Sequence, residues 1–111
     1  MNFIFERQSI PDVILIRRAI YVDQRGSFAE SYKKSAFHDA GLSHDFVQDN
    51  IVSSSANVLR GLHYQLDPMA QGKLVAVIRG RILDVAVDIR PRQASFGKWV
   101  AATLTDTGGE M

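Results

Sequence analysis

The chain has 111 residues, enough for one domain but too few for two, so we expect a single domain spanning residues 1–111. Hydrophobic residues make up 46% and charged residues 23%, which is ordinary for a globular protein and argues against disorder. The net charge is +1 and the basic residues are scattered, which argues against nucleic-acid binding. There is no cysteine, no apolar segment of membrane-spanning length and no signal peptide. We therefore predict a cytoplasmic protein that makes no membrane contact.

The first third of the chain predicts strands and one helix. Residues 12–20, DVILIRRAI, are aliphatic and β-branched, which is typical of a strand, and Pro11 suits its start. Gly26 is predicted to turn the chain before a short strand at 28–32. Next comes SAFHDAG, a short helix that we expect Ser35 to cap and Gly41 to end.

The middle of the chain predicts two strands that carry polar side chains. Residues 46–54 alternate, so that Phe46, Gln48 and Asn50 share a face. Such a face suits the wall of a ligand cavity, although an edge strand with its amides in water fits the pattern equally well. In the next strand, 58–65, Arg60 and His63 are three residues apart and would face opposite sides. A bulge at Gly61 could bring them to one site.

The last third predicts a loop at 66–72 followed by three strands. Residues 73–80 are apolar on both faces, as in a strand between two packed layers. Residues 81–90 alternate, with Leu83 and Val85 on one face and Asp84 and Asp88 on the other, and Gly80 would make a short hairpin between these two strands. Residues 98–105 are the last predicted strand, and TDTGGEM is expected to be a polar turn.

These elements predict the fold class. Short strands at close spacing with a single short helix and no repeat indicate an all-β sandwich or barrel. The absence of regular alternation between helices and strands excludes a doubly wound α/β fold. The predicted strands are residues 12–20, 28–32, 46–54, 58–65, 73–80, 81–90 and 98–105.

Three polar residues within the apolar runs point to a site. His63 alone is more often a packing residue than a catalyst. Together with Lys73 and Arg60 it could form a set of a base, a cation for developing negative charge and an anion clamp. Such a set suits the removal of a proton next to a carbonyl group.

The other polar residues are less informative. Asp84 could hold Lys73 in place, while Asp88 is expected to be an ordinary solvated aspartate. From pattern alone, Arg25 and Glu30 are surface charges. We predict no metal site, because Tyr64 and Gln65 follow His63 where a metal site would need further histidine or carboxylate ligands that converge with it.

Several segments resemble one family. FVQDN, VLRGLHYQ, QGKLV and DVAVDIR, supported by RGSFAESY and SFGKWV, are similar to segments of the dTDP-4-dehydrorhamnose 3,5-epimerases. The resemblance implies a cupin-like jelly roll that converts dTDP-4-dehydro-6-deoxyglucose into dTDP-4-dehydro-L-rhamnose, in the biosynthesis of dTDP-L-rhamnose. It also implies that no cofactor is needed and that the protein is a homodimer with exchanged N-terminal strands.

The resemblance also assigns roles to residues. His63 would be the base, Lys73 would stabilise the enolate oxygen, Asp84 would position Lys73, and Arg60 would hold phosphate or sugar oxygens of the substrate. The remaining assignments are contacts: Gln48, Asp49 and Asn50 with the substrate, and Arg25 and Glu30 with the nucleotide across a subunit boundary.

The sequence also departs from the family. Family members continue past TDTGGEM with a tyrosine that reprotonates the sugar and an aspartate that pairs with the base. We therefore expect a jelly roll that is incomplete at its C-terminus, belonging to a truncated epimerase with poor or no activity. Two alternatives stay open: a related nucleotide-sugar ketoisomerase, which the single histidine of RGLHYQ argues against, and a remnant that binds dTDP-sugar or a partner chain without turnover.

Overall fold

A computed structural model of the chain describes residues 2–111. The elements, in chain order, are β1 (Phe3–Arg7), β2 (Ile14–Arg18), β3 (Tyr21–Asp23), β4 (Gly26–Phe28), α1 (Lys34–Asp39), β5 (Arg81–Val87) and β6 (Trp99–Thr105). The strands form three antiparallel pairs, β1 with β2, β3 with β4 and β5 with β6.

The β1–β2 hairpin carries the main core. Phe3 and Phe5 alternate with exposed Ile4, and Phe5 lies opposite Ile16 in the register, so apolar side chains of both strands share one face. Phe37 of α1 packs on this face. The strand predicted at 12–20 is thus confirmed as β2. Strand β1 was not predicted, although Phe3, Ile4 and Phe5 are residue types that favour strands.

Helix α1 confirms the predicted helix with different ends. Its N-cap is Lys33, without a side-chain capping bond, so the prediction that Ser35 caps the helix is wrong. Gly41 does end it, with φ of 86°, a left-handed conformation that favours glycine. The Gly41 amide donates to the His38 carbonyl and the Leu42 amide to the Phe37 carbonyl, the two bonds of a Schellman motif.

The strands predicted between residues 46 and 80 do not form within residues 2–111. From residue 43 to residue 79 the described chain makes one backbone–backbone hydrogen bond, from the Met69 amide to the Leu66 carbonyl. The predicted hairpin at Gly80 is also wrong, because β5 pairs with β6 instead. Alternation indicates which side chains share a face, but a strand also needs a neighbour for its amide and carbonyl groups, and the pattern does not supply that neighbour.

The other predicted strands are found with shorter bounds. Residues 81–90 contain β5 and residues 98–105 contain β6. Of the strand predicted at 28–32, only Phe28 is in a strand, as the last residue of β4. The turn placed at Gly26 lies at the two residues before it, Gln24 and Arg25, and Gly26 opens β4.

The polar turn predicted in TDTGGEM is found at residues 106–108, whereas residues 109–111 pack onto β2, which the prediction missed. Ile16 and Met111 exchange both backbone hydrogen bonds, and the Arg18 amide donates to the Gly109 carbonyl. A Cβ atom at Gly109 would lie 2.5 Å from the Arg18 carbonyl oxygen, so only glycine allows this approach. Met111 thereby joins the core of Phe3, Ile16 and Phe37.

Asp88 follows β5 and is buried, so the expectation of a solvated aspartate is wrong. Its carboxylate accepts two hydrogen bonds from the Arg90 guanidinium, each 2.9 Å long, and one from the Ser95 hydroxyl. Arg90 also donates to Asp12, just before β2. The bonds from Arg90 and Ser95 hold the pKa of Asp88 well below its usual range. This network connects the end of β5 to the loop before β6 and to the start of β2.

Candidate active site

His63 and Arg60 lie on an irregular segment. Gly61 between them has φ of 113°, outside the range of a regular strand, which agrees with the expectation that the backbone departs from strand geometry there. The His63 imidazole folds back over this glycine, with Nδ1 3.5 Å from where a Cβ atom of Gly61 would be. The Arg60 Nε donates to the Ser54 hydroxyl at 3.0 Å. Both side chains are exposed, and among residues 2–111 His63 forms no side-chain hydrogen bond.

Lys73 and Asp84 are not joined by an ion pair in the structure. Lys73 is exposed, while its neighbour Leu74 packs against the core. Asp84 is half-buried on the face of β5 that looks towards β2. It lines a mostly apolar groove of about 80 Å³ together with Ala86, Val100, Ala102, Leu104 and Met111. His63 and Lys73 do not line this groove.

The side chains of Gln48 and Asn50 meet, as the predicted shared face requires. The Gln48 amide donates to the Asn50 side-chain oxygen at 3.2 Å, and both residues are exposed. Asp49 between them is exposed as well. Two amides side by side offer both donors and acceptors, which suits a ligand rich in hydroxyl and carbonyl groups.

Arg25 lies in the hairpin of β3 and β4, away from the residues above. Its backbone amide and guanidinium donate to Asp23, and these hydrogen bonds lower the pKa of the Asp23 carboxyl group. The hairpin forms an open groove of about 530 Å³, lined by Arg25, Tyr21, Val22 and Phe28 among others. A cation beside exposed aromatic rings can hold a phosphate and a base at the same time.

Glu30 is held by a short chain of hydrogen bonds that sequence reasoning missed. The Asn2 side-chain amide donates to Glu30 at 2.8 Å, and the Tyr21 hydroxyl donates to the Asn2 oxygen at 2.7 Å. Glu30 is half-buried and therefore more constrained than the surface charge that its pattern suggested. No local sequence signal could have shown this, since the three residues are far apart in the chain.

Within residues 2–111, no group of three or more histidine, aspartate or glutamate side chains is placed to hold a metal ion. The described part of the chain also has no helix of the length and apolarity needed to cross a membrane.

Comparison with known proteins identifies the family. A sequence model described as dTDP-4-dehydrorhamnose 3,5-epimerase matches residues 7–111. The chain belongs to the dTDP-4-dehydrorhamnose 3,5-epimerase family. The epimerase of Escherichia coli strain K12 is 51% identical over 106 residues, which are 95% of this chain and 56% of that protein. The chain thus spans little more than half the length of this relative.

Solved epimerase structures share the backbone. The crystal structure of the Sulfolobus tokodaii epimerase matches with a TM-score of 0.94 and 41% identity, over 100% of this chain and 62% of that one. The Legionella pneumophila epimerase, in complex with dTDP-4-keto-L-rhamnose, matches with a TM-score of 0.92 and 40% identity, over 97% of this chain and 57% of that one. The predicted all-β, cupin-like fold with one short helix is therefore confirmed.

Proposed function

We propose that the chain acts on dTDP-4-dehydro-6-deoxyglucose as a 3,5-epimerase, with His63 as the base. The observation that carries the proposal is the likeness to the Legionella epimerase in complex with dTDP-4-keto-L-rhamnose, together with the family motifs around His63 and Lys73. The irregular backbone at Gly61 supports it further, because Arg60 and His63 then need not face opposite sides.

The proposed chemistry follows from the ketone at C4. His63 removes the proton from C3 or C5, and the electron pair of the broken C–H bond moves into an enolate whose oxygen carries the negative charge. The Lys73 ammonium group stabilises that oxygen. Asp84 is given no part in this step, because it forms no ion pair with Lys73 and lines a groove that Lys73 does not line. Epimerisation is completed when a proton is returned to the same carbon from the opposite face, and that donor is not assigned to any of the described residues.

Substrate binding is assigned to polar residues that are exposed or, for Glu30, half-buried. Arg60 holds phosphate or sugar oxygens, while Gln48, Asp49 and Asn50 contact the sugar. Arg25 and Glu30 contact the nucleotide of a second subunit in a homodimer with exchanged N-terminal strands. The exposure of Val22 and Phe28 in the β3–β4 hairpin supports this last assignment, since a two-stranded hairpin needs a surface to pack on. Sedimentation at micromolar concentration should give twice the chain mass, and a monomer would contradict the dimer.

Proton exchange in deuterated water tests the catalytic proposal. Substrate incubated with the chain should gain deuterium at C3 and C5, detected by loss of the corresponding NMR signals. The variants H63A and K73A should lose this exchange, whereas K98A, which alters an exposed lysine elsewhere, should retain it.

The exchange experiment, combined with a measurement of dTDP binding, also tests a second candidate function, the binding of dTDP-sugar without turnover. His63 has no side-chain hydrogen-bonding partner within residues 2–111, which favours a protein that binds dTDP-sugar without turnover. Binding of dTDP without exchange at either carbon would select this candidate. Neither binding nor exchange would reject both.

A further inference from the structure

Residues 44–46, which we call the brace, contact three other parts of the chain. They begin five residues after the end of α1 and precede the Gln48–Asn50 segment. Although the region from 43 to 79 has almost no backbone hydrogen bonds of its own, each brace residue has a defined side-chain contact.

Phe46 is tied to the core through one aromatic ring. Its ring meets the edge of Tyr32 at 5.5 Å and 90°. Tyr32 in turn meets Phe37 at 4.8 Å and 70°. Phe37 is the most deeply buried side chain and contacts Phe3 and Phe5 of β1. Edge-to-face geometry is the favoured arrangement for aromatic pairs, so this row of rings gives Phe46 a preferred position.

Asp45 contacts helix α1 itself. The Lys34 ammonium group lies 2.8 Å from the Asp45 carboxylate, and this hydrogen bond lowers the pKa of Asp45 and raises that of Lys34. Both side chains are largely exposed, so the ion pair contributes little stability. It does favour one position of Asp45 relative to α1.

His44 contacts the segment that carries Lys73. The His44 ring lies beside Gly72, because a Cβ atom added at Gly72 would be 3.6 Å from it, an ordinary van der Waals distance. On the other side of Lys73, Leu74 packs against the Phe37 core. The two residues that flank Lys73 therefore lie against other parts of the chain: Gly72 is beside His44 of the brace, and Leu74 packs on the Phe37 core.

We propose that the brace sets the position of Lys73 relative to Gln48 and Asn50, with His44 and Phe46 as positioning residues. The functional part of this inference rests on the proposed assignment of Lys73 and Gln48 to the substrate site. The structural part predicts coupling between the two segments. Truncating Phe46 should increase the backbone mobility around Lys73, and truncating His44 should increase it around Gln48.

Backbone ¹⁵N relaxation of the full chain tests the coupling without any ligand. In F46A we expect order parameters to fall from about 0.85 to below 0.6 at residues 47–50 and also to decrease at 72–74. In H44A the loss should start at 72–74 and extend to 48–50. Y32F should behave like the wild type because it keeps the ring, whereas Y32A should resemble F46A. F96A, which removes an exposed ring elsewhere, is the matched control.

Binding of dTDP, measured by calorimetry on the same variants, tests the functional part. We expect the dissociation constant to rise about tenfold in F46A, with wild-type affinity in Y32F and F96A. If each variant disturbs only its own segment, the brace is refuted even when dTDP binds. If the variants show the coupling but the wild type does not bind dTDP, the assignment of Lys73 and Gln48 to a substrate site is wrong, and only the structural part of the proposal is supported. Should F46A not fold, F46L, which keeps apolar contact but no ring edge, must show the same coupling.

Discussion

Removing the Phe37 side chain should cost more stability than any other single truncation in the chain. Phe37 is 0% exposed, and its ring meets Phe3, Phe5 and Tyr32 at centroid distances of 5.3, 5.2 and 4.8 Å. Truncating a buried phenylalanine to alanine costs about 3–5 kcal/mol, because apolar burial is lost and a cavity is left. A domain of this size is stable by roughly 5–15 kcal/mol in total, so F37A should lose a large part of that.

Urea unfolding followed by circular dichroism measures the effect. With a slope of about 2 kcal/mol per molar urea, a loss of about 4 kcal/mol lowers the midpoint by about 2 M. F37L keeps most of the apolar volume but loses the ring edges, and should cost about 1–3 kcal/mol. F96A is the control: this ring is 56% exposed, and its removal should change stability by no more than about 0.5 kcal/mol. If F37A and F96A cost the same, Phe37 is not the centre of the core.

Three further predictions concern pH, binding and the end of the chain. Because Arg90 and Ser95 lower the pKa of Asp88, the stability from this network should be complete above the ordinary carboxyl pKa of about 4 and be lost as the pH falls towards the lowered value. Melting temperatures from pH 7 to pH 2 should therefore fall less steeply in D88N than in the wild type, and equal slopes would contradict the network. R60A should weaken dTDP binding by about 1.5–3 kcal/mol for a lost charge-assisted hydrogen bond, while R92A should not; unchanged affinity would remove Arg60 from the site. M111A should lower the free energy of unfolding by about 2–5 kcal/mol, because Met111 is only 5% exposed. The control M69A, at a position that is 64% exposed, should lower it by about 0.5 kcal/mol at most. Similar losses in the two variants would show that the final residues do not pack on β2 in solution.

Local signals predicted single elements well. The β-branched run at 12–20 predicted β2, the alternation in 81–90 predicted β5, and Gly41 marked the end of α1, because each depends on side chains a few residues apart. These local signals failed where the pairing of distant segments determines whether a strand forms. Residues 46–54 alternate as a strand does, yet without a neighbouring strand in residues 2–111 they form none.

The candidate site shows the same division. Its residue types, above all His63 and Lys73, could be recognised in the sequence, and so could the shared face of Gln48 and Asn50. The positions of these side chains relative to one another could not be predicted from the sequence. Asp84 was expected to hold Lys73, but in the structure it lines a groove facing β2, because the packing of β5 and β6 against β2 determines what each face of β5 meets.

From the sequence alone came the family, through motifs such as RGLHYQ and QGKLV, and with it the chemistry that the residues can perform. Only the tertiary structure decided that Asp88 is a buried partner of Arg90 and that Met111 completes the core of the first hairpin. The physical reason is that burial and backbone pairing depend on contacts between residues far apart in the chain. Whether a carboxylate is solvated or enclosed follows from which distant segment packs against it.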